Sequence, residues 1–207
     1  RFGGDEFAVL LPDLRDRDIV GQTCRAIVES LSRPFRIRGQ RVYVGVSIGI
    51  ALAPTDGNDP HELLKKADIA LYRVKREGRG TFAFFDEGMT AAILARREVE
   101  ADLRRAITND EFRVFYQPIV DLETGQPNGY EALIRWQHPI KGLLPPAHFI
   151  EIAEESGLIL PIGEIVLRQA CECLARHSDT MSVSVNLPPI QFRNHQLAVS
   201  VINALAH

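Results

Sequence analysis

Two β-rich runs separated by a short turn-prone segment constrain the fold of this chain more than any other feature. The runs are FRVFYQPIVD at 112–121 and GYEALIRW at 129–136, joined by LETGQPN, and this pattern predicts a hairpin. Because side chains alternate along a strand, Glu131, Leu133 and Arg135 should share one face of the second run. A carboxylate able to bind a divalent metal, close to an arginine able to bind phosphate, is compatible with a phosphodiester site. Spacing alone favours the alternative, a surface Glu–Arg pair on a half-buried strand.

The identity of these residues adds to their spacing. The segment YQPIVDLETGQPNGYEALIRWQHP at 116–139 closely resembles the opening of the EAL family, bacterial phosphodiesterases that hydrolyse cyclic di-GMP. The resemblance implies that Glu131 is a catalytic metal ligand, that Arg135 contacts the dinucleotide and that Gln117 lines the same pocket. It also implies a Mg²⁺ or Mn²⁺ cofactor and metal-assisted attack of water on a phosphodiester.

A second motif of this kind ends the run SVSVNL at 182–187, which predicts a strand. In a (β/α)₈ barrel, strand ends on the carboxyl side carry the chemistry. The resemblance to EAL proteins implies that Asn186 is a metal ligand, although Pro188 stands where that family usually has a small hydroxyl residue. The alternative for Asn186 is a strand-end side chain that caps the next turn.

The chain opens on a glycine pair followed by two acids. Gly3 and Gly4 allow a tight turn, Asp5 and Glu6 place carboxylates at its tip, and 7–11 predicts a buried strand. Two carboxylates at such a turn can hold a divalent metal against a nucleotide triphosphate, and glycine lets the backbone approach the ligand closely. Spacing alone favours a solvated acidic turn.

These opening residues, GGDEF at 3–7, resemble the signature of diguanylate cyclases, which join two GTP molecules into cyclic di-GMP. The segments VYVGVSIGIA at 42–51 and ADIALYRVKREGRG at 67–80 resemble a central strand and the following helix of that family. The resemblance implies that Asp5 and Glu6 hold Mg²⁺, that Gly4 approaches the substrate, and that two protomers pair two substrates. It further implies cations on the GTP phosphates, which here are Lys75 and Arg79. Their i,i+4 spacing predicts one helical face, although Gly78 indicates that the helix is ending.

The remaining pattern predicts regular α/β structure in three parts. Helices are expected over 17–31, from an Asp59 N-cap, over 147–155 and over 162–177, and strands over 36–52 and 81–86. The segment 86–110 is rich in helix formers and predicts a connecting helix. The predicted division is therefore the C-terminal part of a GGDEF domain at 1–86, a connecting helix at 87–109 and the N-terminal part of an EAL domain at 110–207.

The expected fold class is α/β, with part of a nucleotidyl-cyclase-like α+β sheet and an incomplete (β/α) barrel joined by a helix. A closed barrel needs about 250 residues, and the chain from residue 110 onward suffices for roughly three of eight strand–helix units. We therefore expect an internal portion of a longer protein, with an open sheet edge and an uncovered apolar face that favour association.

Composition limits the partners and the location. The net charge of −3 gives no global basic field for DNA or RNA. Because no apolar run approaches the length of a membrane span, a cytoplasmic location is expected, although a longer parent protein could be membrane-tethered. The cysteines, Cys24, Cys171 and Cys173, have a spacing typical of thiols in a reducing compartment, and the histidines show no zinc-ligand spacing.

Taken with both resemblances, the sequence predicts a protein of cyclic di-GMP turnover, with cyclic di-GMP and GTP as ligands and a homodimer as the full-length state. We expect residues 1–207 alone to be inactive, because the metal ligands Glu131 and Asn186 are too few for a hard cation with about six ligands. The competing hypothesis is a non-catalytic nucleotide-binding or interaction remnant.

Overall fold

The computed structural model describes residues 1–12, 16–177, 182–192 and 197–205, and the chain divides into two compact units at 1–93 and 94–207. None of the helices in these ranges combines the length and apolar character that crossing a membrane requires. The two units are described separately.

In the described ranges, the first unit contains two complete helices and four short strands in chain order. These elements are α1 (Arg17–Leu31), β1 (Phe35–Ile37), β2 (Gln40–Val42), β3 (Ile48–Ile50), α2 (Pro60–Arg76) and β4 (Phe82–Phe84). Strands β1 and β2 form an antiparallel hairpin, and β3 and β4 pair in parallel. The segment 60–76 between β3 and β4 contains α2, so this unit holds a β–α–β crossover.

Both predicted helices of the first unit are confirmed. Helix α1 covers the predicted range, and its buried stripe includes Val20 and Cys24, which pack with Ile50 of β3. Helix α2 begins as the Asp–Pro pair predicts, because an Asp59 carboxylate oxygen accepts a hydrogen bond of 2.9 Å from the Glu62 amide. An N-cap of this kind satisfies an amide that the helix itself leaves without a partner.

The predicted buried strand at 7–11 is wrong. These residues have no strand pairing, and their apolar side chains are exposed, with Leu10 at 89%. An apolar run predicts a strand only where a partner strand completes the sheet, and no strand in the described ranges pairs with this one. The strand expected through 42–51 is likewise divided, because β2 ends at Val42 and β3 begins at Ile48.

The second unit is built on one strongly paired hairpin. Helix α3 (Glu87–Thr108) begins within the residue range of the first unit and ends within that of the second. The hairpin strands β5 (Phe112–Val120) and β6 (Pro127–His138) follow it. They pair antiparallel from Phe112 opposite Trp136 to Val120 opposite Pro127. The hairpin predicted from the two β-rich runs is thus confirmed.

The loop between β5 and β6 is closed by Asp121. One carboxylate oxygen accepts hydrogen bonds from the Thr124 amide at 2.8 Å, the Thr124 hydroxyl at 3.0 Å and the Glu123 amide at 3.0 Å. These bonds to Thr124 and Glu123 hold the pKa of Asp121 below its usual value. An aspartate that accepts backbone amides in this way stabilises a turn.

Two further strands pair with the edge of β6 opposite β5. Strand β7 (Gly142–Leu144) is antiparallel to the end of β6, and β8 (Ser182–Val185) runs parallel to Gly129–Ala132. The other elements are a 3-10 helix at Pro146–His148 and the helices α4 (Ile150–Ser156), α5 (Ile159–His177), α6 (Pro189–Phe192) and α7 (Leu197–Leu205). In the described ranges these strands form one open sheet, so the expected incomplete barrel is observed.

Helix α5 begins earlier than predicted. It starts at Ile159 rather than at 162, with Pro161 inside its first turn. Proline is tolerated there because the first amides of a helix have no intrahelical partner. Gly157 ends α4 with a φ of 76°, a left-handed conformation that favours glycine.

The core of the second unit lies between its sheet and its helices. It contains aromatic residues of both hairpin strands and of the segment before α4, together with apolar residues of α3 and α5. The fully buried members with large side chains are Leu103, Phe112, Trp136, Phe149 and Ile162. This core leaves one face of the sheet covered by helices and the other available for a site.

Candidate functional site

The two faces of the β5–β6 hairpin differ in what covers them. On the covered face, Phe112 and Trp136 are buried, and the Tyr116 hydroxyl donates a 3.0 Å hydrogen bond to the Gln169 carbonyl oxygen of α5. The alternate residues form the open face, where Phe115 remains 48% exposed. The open face consists of Arg113, Phe115 and Gln117 on β5 and Glu131, Leu133 and Arg135 on β6.

The structure brings the two predicted metal ligands together. Because β8 pairs in parallel with β6, Ser184 lies opposite Glu131 and Val185 opposite Ala132. Asn186 follows directly, and its amide nitrogen donates a 2.7 Å hydrogen bond to Glu131 Oε1. Residues far apart in sequence are therefore in direct contact at the carboxyl end of a strand, where barrel proteins place their sites.

The two predicted substrate-contacting residues of this unit lie on the same face. Gln117 is directly opposite Glu131 in the antiparallel register. Arg135 lies four residues further along β6, with its guanidinium carbon 5.8 Å from the centre of the Phe115 ring. The open face thus presents a carboxylate, two amides, an aromatic ring and two cations to one side.

Two residues that the sequence interpretation did not single out belong to this face. Phe115 lies next to Arg135, and Ser184 lies beside Glu131. Phe115 shares a face with Gln117 because side chains alternate along β5 with a period of two. Ser184 shares a face with Glu131 because the two residues are direct neighbours on paired strands. Alternation counted from Gln117 identifies Phe115 from the sequence alone, whereas Ser184 needs the register between strands.

The acidic turn of the first unit is formed as predicted, and it is fully exposed. The Glu6 amide donates to the Gly3 carbonyl oxygen at 2.9 Å, and Gly4 has a φ of 52° that favours glycine. The guanidinium of Arg1 donates to the Gly4 carbonyl oxygen at 2.6 Å. This geometry leaves the carboxylates of Asp5 and Glu6 on the surface.

The predicted shared helical face of Lys75 and Arg79 is wrong. Helix α2 ends at Arg76, and Arg79 lies beyond it with a φ of 61°. The Arg79 amide bonds to the Val74 carbonyl oxygen at 3.0 Å, which closes the helix end. In the described part of the chain, no hydrogen bond or ion pair joins either cation to Asp5 or Glu6.

The open face carries donor atoms of the kind that bind a divalent cation. Glu131 and Asn186 supply oxygen donors of the type that Mg²⁺ and Mn²⁺ prefer. Throughout the described ranges, the open face included, no group of three or more His, Cys, Asp or Glu side chains is arranged to hold a metal ion. The donors fit such an ion in kind and supply two of about six ligand positions.

Fold and site together define a two-unit α/β protein whose second unit has an open sheet that carries an acid–amide pair. Comparison with known families makes this specific: residues 100–207 match the EAL domain family, and residues 1–81 match the family described as diguanylate cyclase, GGDEF domain. The chain belongs to the EAL domain family and carries a GGDEF domain ahead of the EAL domain.

Several relatives match almost the whole chain. It is 40% identical over 210 residues to the bifunctional diguanylate cyclase/cyclic di-GMP phosphodiesterase MucR of Pseudomonas aeruginosa, covering 99% of this chain and 30% of that protein. It is 36% identical over 208 residues to the cyclic di-GMP phosphodiesterase PdeR of Escherichia coli, covering 99% and 31%. The chain therefore spans about a third of the length of these two relatives.

A solved structure agrees in fold. The EAL enzyme Bd1971, in its cAMP and cyclic-di-GMP bound form, superposes with a TM-score of 0.51 at 28% identity. The match covers 72% of this chain and 40% of that one.

Proposed function

We propose that the second unit binds cyclic di-GMP on its open face and belongs to a protein that hydrolyses it. The observation that carries this proposal is the contact of Asn186 with Glu131 at 2.7 Å. It brings together a carboxylate and an amide at a barrel strand end, beside Gln117 and on the face of Arg135. The named activities of MucR and PdeR and the cyclic-di-GMP bound form of Bd1971 support the same ligand.

In this proposal each residue has one role. Glu131 and Asn186 would hold Mg²⁺ or Mn²⁺ through their side-chain oxygens. When bound, such an ion polarises a phosphodiester and activates water. Gln117 and Arg135 bind and orient the dinucleotide, and the planar guanidinium is suited to bidentate contact with phosphate.

For the first unit we propose binding of GTP with Mg²⁺. Asp5 and Glu6 hold the ion, Gly4 lets the backbone approach the ligand, and Lys75 and Arg79 contact the phosphates. The exposed turn formed by Gly3 and Glu6 supports the accessibility of these acids. Formation of cyclic di-GMP would require two protomers, so a homodimer is part of this proposal.

The division into a GGDEF part at 1–86, a connecting helix at 87–109 and an EAL part at 110–207 also remains a proposal, as does a cytoplasmic location. The cytoplasm is proposed because GTP, one of the proposed ligands, is available there.

A hydrolysis assay tests the proposed activity. We expect residues 1–207 to show no turnover of cyclic di-GMP, because Glu131 and Asn186 supply only part of a metal site. A version extended to the full length of the relatives should be active, and Glu131→Gln should reduce its rate at least ~100-fold, as loss of a metal ligand implies. Full activity of the extended Glu131→Gln protein would refute the metal assignment.

The second candidate function is nucleotide binding without turnover. Among the described residues two metal donors meet on the open face, and this small number favours it for residues 1–207. It predicts binding of cyclic di-GMP without hydrolysis even in the extended protein, whereas the first proposal predicts both. Turnover by the extended protein that Glu131→Gln abolishes would exclude this second candidate.

A further inference from the structure

Two arginines lie directly across from each other on the open face. Arg113 of β5 and Arg135 of β6 are partners in the antiparallel register. Directly opposed residues of such a pair have Cβ atoms about 5 Å apart and point to the same side of the sheet. The two side chains therefore leave the sheet on the same side, from neighbouring positions.

Of the two arginines, only Arg113 has an ion pair in the described ranges. Arg113 Nη1 donates to the carbonyl oxygens of Asp110 and Phe112 at 2.7 and 2.8 Å, and the Asp110 carboxylate lies 3.7 Å away. Arg135 Nη1 donates to the Ile134 carbonyl oxygen at 2.8 Å. Among the described residues, no carboxylate lies within ion-pair distance of Arg135. In each guanidinium one nitrogen, Nη1, makes these hydrogen bonds, which leaves further N–H donors for a ligand.

An opposed pair of like charges destabilises a hairpin. The Asp110 carboxylate, 3.7 Å from Arg113 Nη1, offsets part of this repulsion, and in the described ranges no ion pair does so at Arg135. A bound anion would offset it, because two guanidinium groups can converge on one phosphate.

The pair lies at a defined distance from the acid–amide pair. Arg135 is four residues along β6 from Glu131, which corresponds to about 14 Å at the strand rise of about 3.4 Å per residue. Phe115, with an exposed ring, lies between the two levels next to Arg135. A ligand that spans from Glu131 to Arg113 would thus pass over an aromatic surface suited to a base.

We propose that Arg113 and Arg135 form a second anion subsite for the phosphodiester of the dinucleotide that is not at the metal ligands. This inference rests on the proposed function, since it assigns one phosphate to the level of Glu131 and Asn186 and the other to the arginine pair. It adds Arg113 as a specificity-determining residue that favours a ligand with two phosphate groups.

Calorimetric titration of the protein with cyclic di-GMP in the presence of Mg²⁺ tests this subsite. Arg113→Gln should raise Kd ~10-fold, as loss of a charge-assisted contact implies, and Arg113→Lys should raise it less because the charge is kept. The matched control is Arg168→Gln, which removes an exposed arginine from α5. Raising NaCl from about 0.05 to about 0.5 M should weaken binding more in the unaltered protein than in Arg113→Gln.

Thermal unfolding separates binding from folding. Arg113→Gln should leave Tm unchanged or raise it, because it relieves the repulsion between the arginines. Equal Kd values for Arg113→Gln, Arg168→Gln and the unaltered protein would overturn the subsite while the proposed function stands. If Arg113→Gln does not fold, an unchanged Kd in Arg113→Lys at every salt concentration overturns it instead. Failure of the unaltered protein to bind cyclic di-GMP would overturn the proposed function and this subsite with it.

Discussion

His138 is held in one tautomer by three hydrogen bonds. Its Nδ1 accepts from the Ile140 and Lys141 amides, both at 3.1 Å, so the proton lies on Nε2, which faces Asp102 Oδ2 at 3.1 Å. The ring is 2% exposed and lies 4.9 Å from the Trp136 ring. This histidine therefore joins α3 to the end of β6 and is a structural residue of the second unit.

Asp102 should make the stability of this unit depend on acid pH. Burial alone would raise its pKa, but hydrogen bonds from His138 and Arg105 outweigh burial, so the pKa lies below its usual value. A depressed pKa stabilises the fold above the unfolded value of about 3.9, and this contribution is lost as pH falls through the folded value.

The Asp102 carboxylate should determine how steeply the free energy of unfolding falls at acid pH. Urea unfolding of Asp102→Asn should show a free energy of unfolding about 1–3 kcal/mol lower at neutral pH, because buried partners lose a charged acceptor. Between about pH 4 and pH 2 the loss of stability should be shallower than in the unaltered protein. Parallel curves for the two proteins in this range would show that Asp102 does not carry the effect.

Gly49 permits the close approach of β3 to α2. A Cβ atom there would overlap the Ala67 carbonyl oxygen and the Leu71 amide nitrogen. We predict that Gly49→Ala lowers the free energy of unfolding of the first unit by about 3 kcal/mol, the upper range for overpacking. Gly45→Ala is the matched control, since nothing lies within 4 Å of its Cβ position. Urea titration of both variants should separate them, and equal midpoints would contradict the packing argument.

At the scale of elements, the outer edge of β5 is paired by a side chain rather than by a strand. The Gln169 amide of α5 accepts from the Val114 amide at 3.1 Å and donates to the Phe112 carbonyl oxygen at 3.1 Å. A single side chain thus reproduces the two hydrogen bonds that a neighbouring strand would make. It protects part of an edge that would otherwise be open to pairing with another chain.

Gln169→Leu should remove both bonds while keeping side-chain volume. We expect a loss of about 1–3 kcal/mol in unfolding free energy, because the two backbone groups lose their partners. Hydrogen exchange of the Val114 amide should accelerate by at least ~10-fold. Gln137→Leu, at an exposed position of β6, serves as the control, and unchanged exchange at Val114 in Gln169→Leu would disprove the capping role.

Local patterns determined which elements could be predicted from the sequence. The periodicity of α1 and the Asp59–Pro60 start of α2 are local signals, and each was sufficient to predict its helix. The prediction of a strand at 7–11 failed because strand formation depends on a partner strand, which the local pattern does not show. Likewise the left-handed conformation of Arg79 depends on how helix α2 ends. Because α2 ends before Arg79, this residue does not share a helical face with Lys75.

The candidate site was predictable in part for the same reason. Alternation places Glu131 and Arg135 on one face, but spacing alone could not distinguish a site from a surface ion pair. The role of Asn186 came from family resemblance, and its contact with Glu131 depends on the parallel register of β6 and β8. The arginine pair could not be found without the register of the hairpin, because Arg113 becomes the partner of Arg135 only through it.

At the scale of the whole molecule, the sheet of the second unit favours association. In the described ranges, β8 pairs only with β6, so its other edge is unpaired. Large apolar side chains such as Leu122 and Phe192 are exposed in the same unit. We predict concentration-dependent oligomers in size-exclusion chromatography with light scattering. A sharp peak at the monomer mass of 23.1 kDa at every concentration would contradict this expectation.

The central claim is that the open face binds cyclic di-GMP together with a divalent cation held by Glu131 and Asn186. The most direct measurement is a calorimetric titration of cyclic di-GMP with and without Mg²⁺, on the unaltered protein, Glu131→Gln and the loop control Glu123→Gln. We predict that binding strengthens when Mg²⁺ is present, and that Glu131→Gln alone removes this dependence and raises Kd ~10-fold or more. Binding that is equally tight without Mg²⁺ and unchanged in Glu131→Gln would contradict the account.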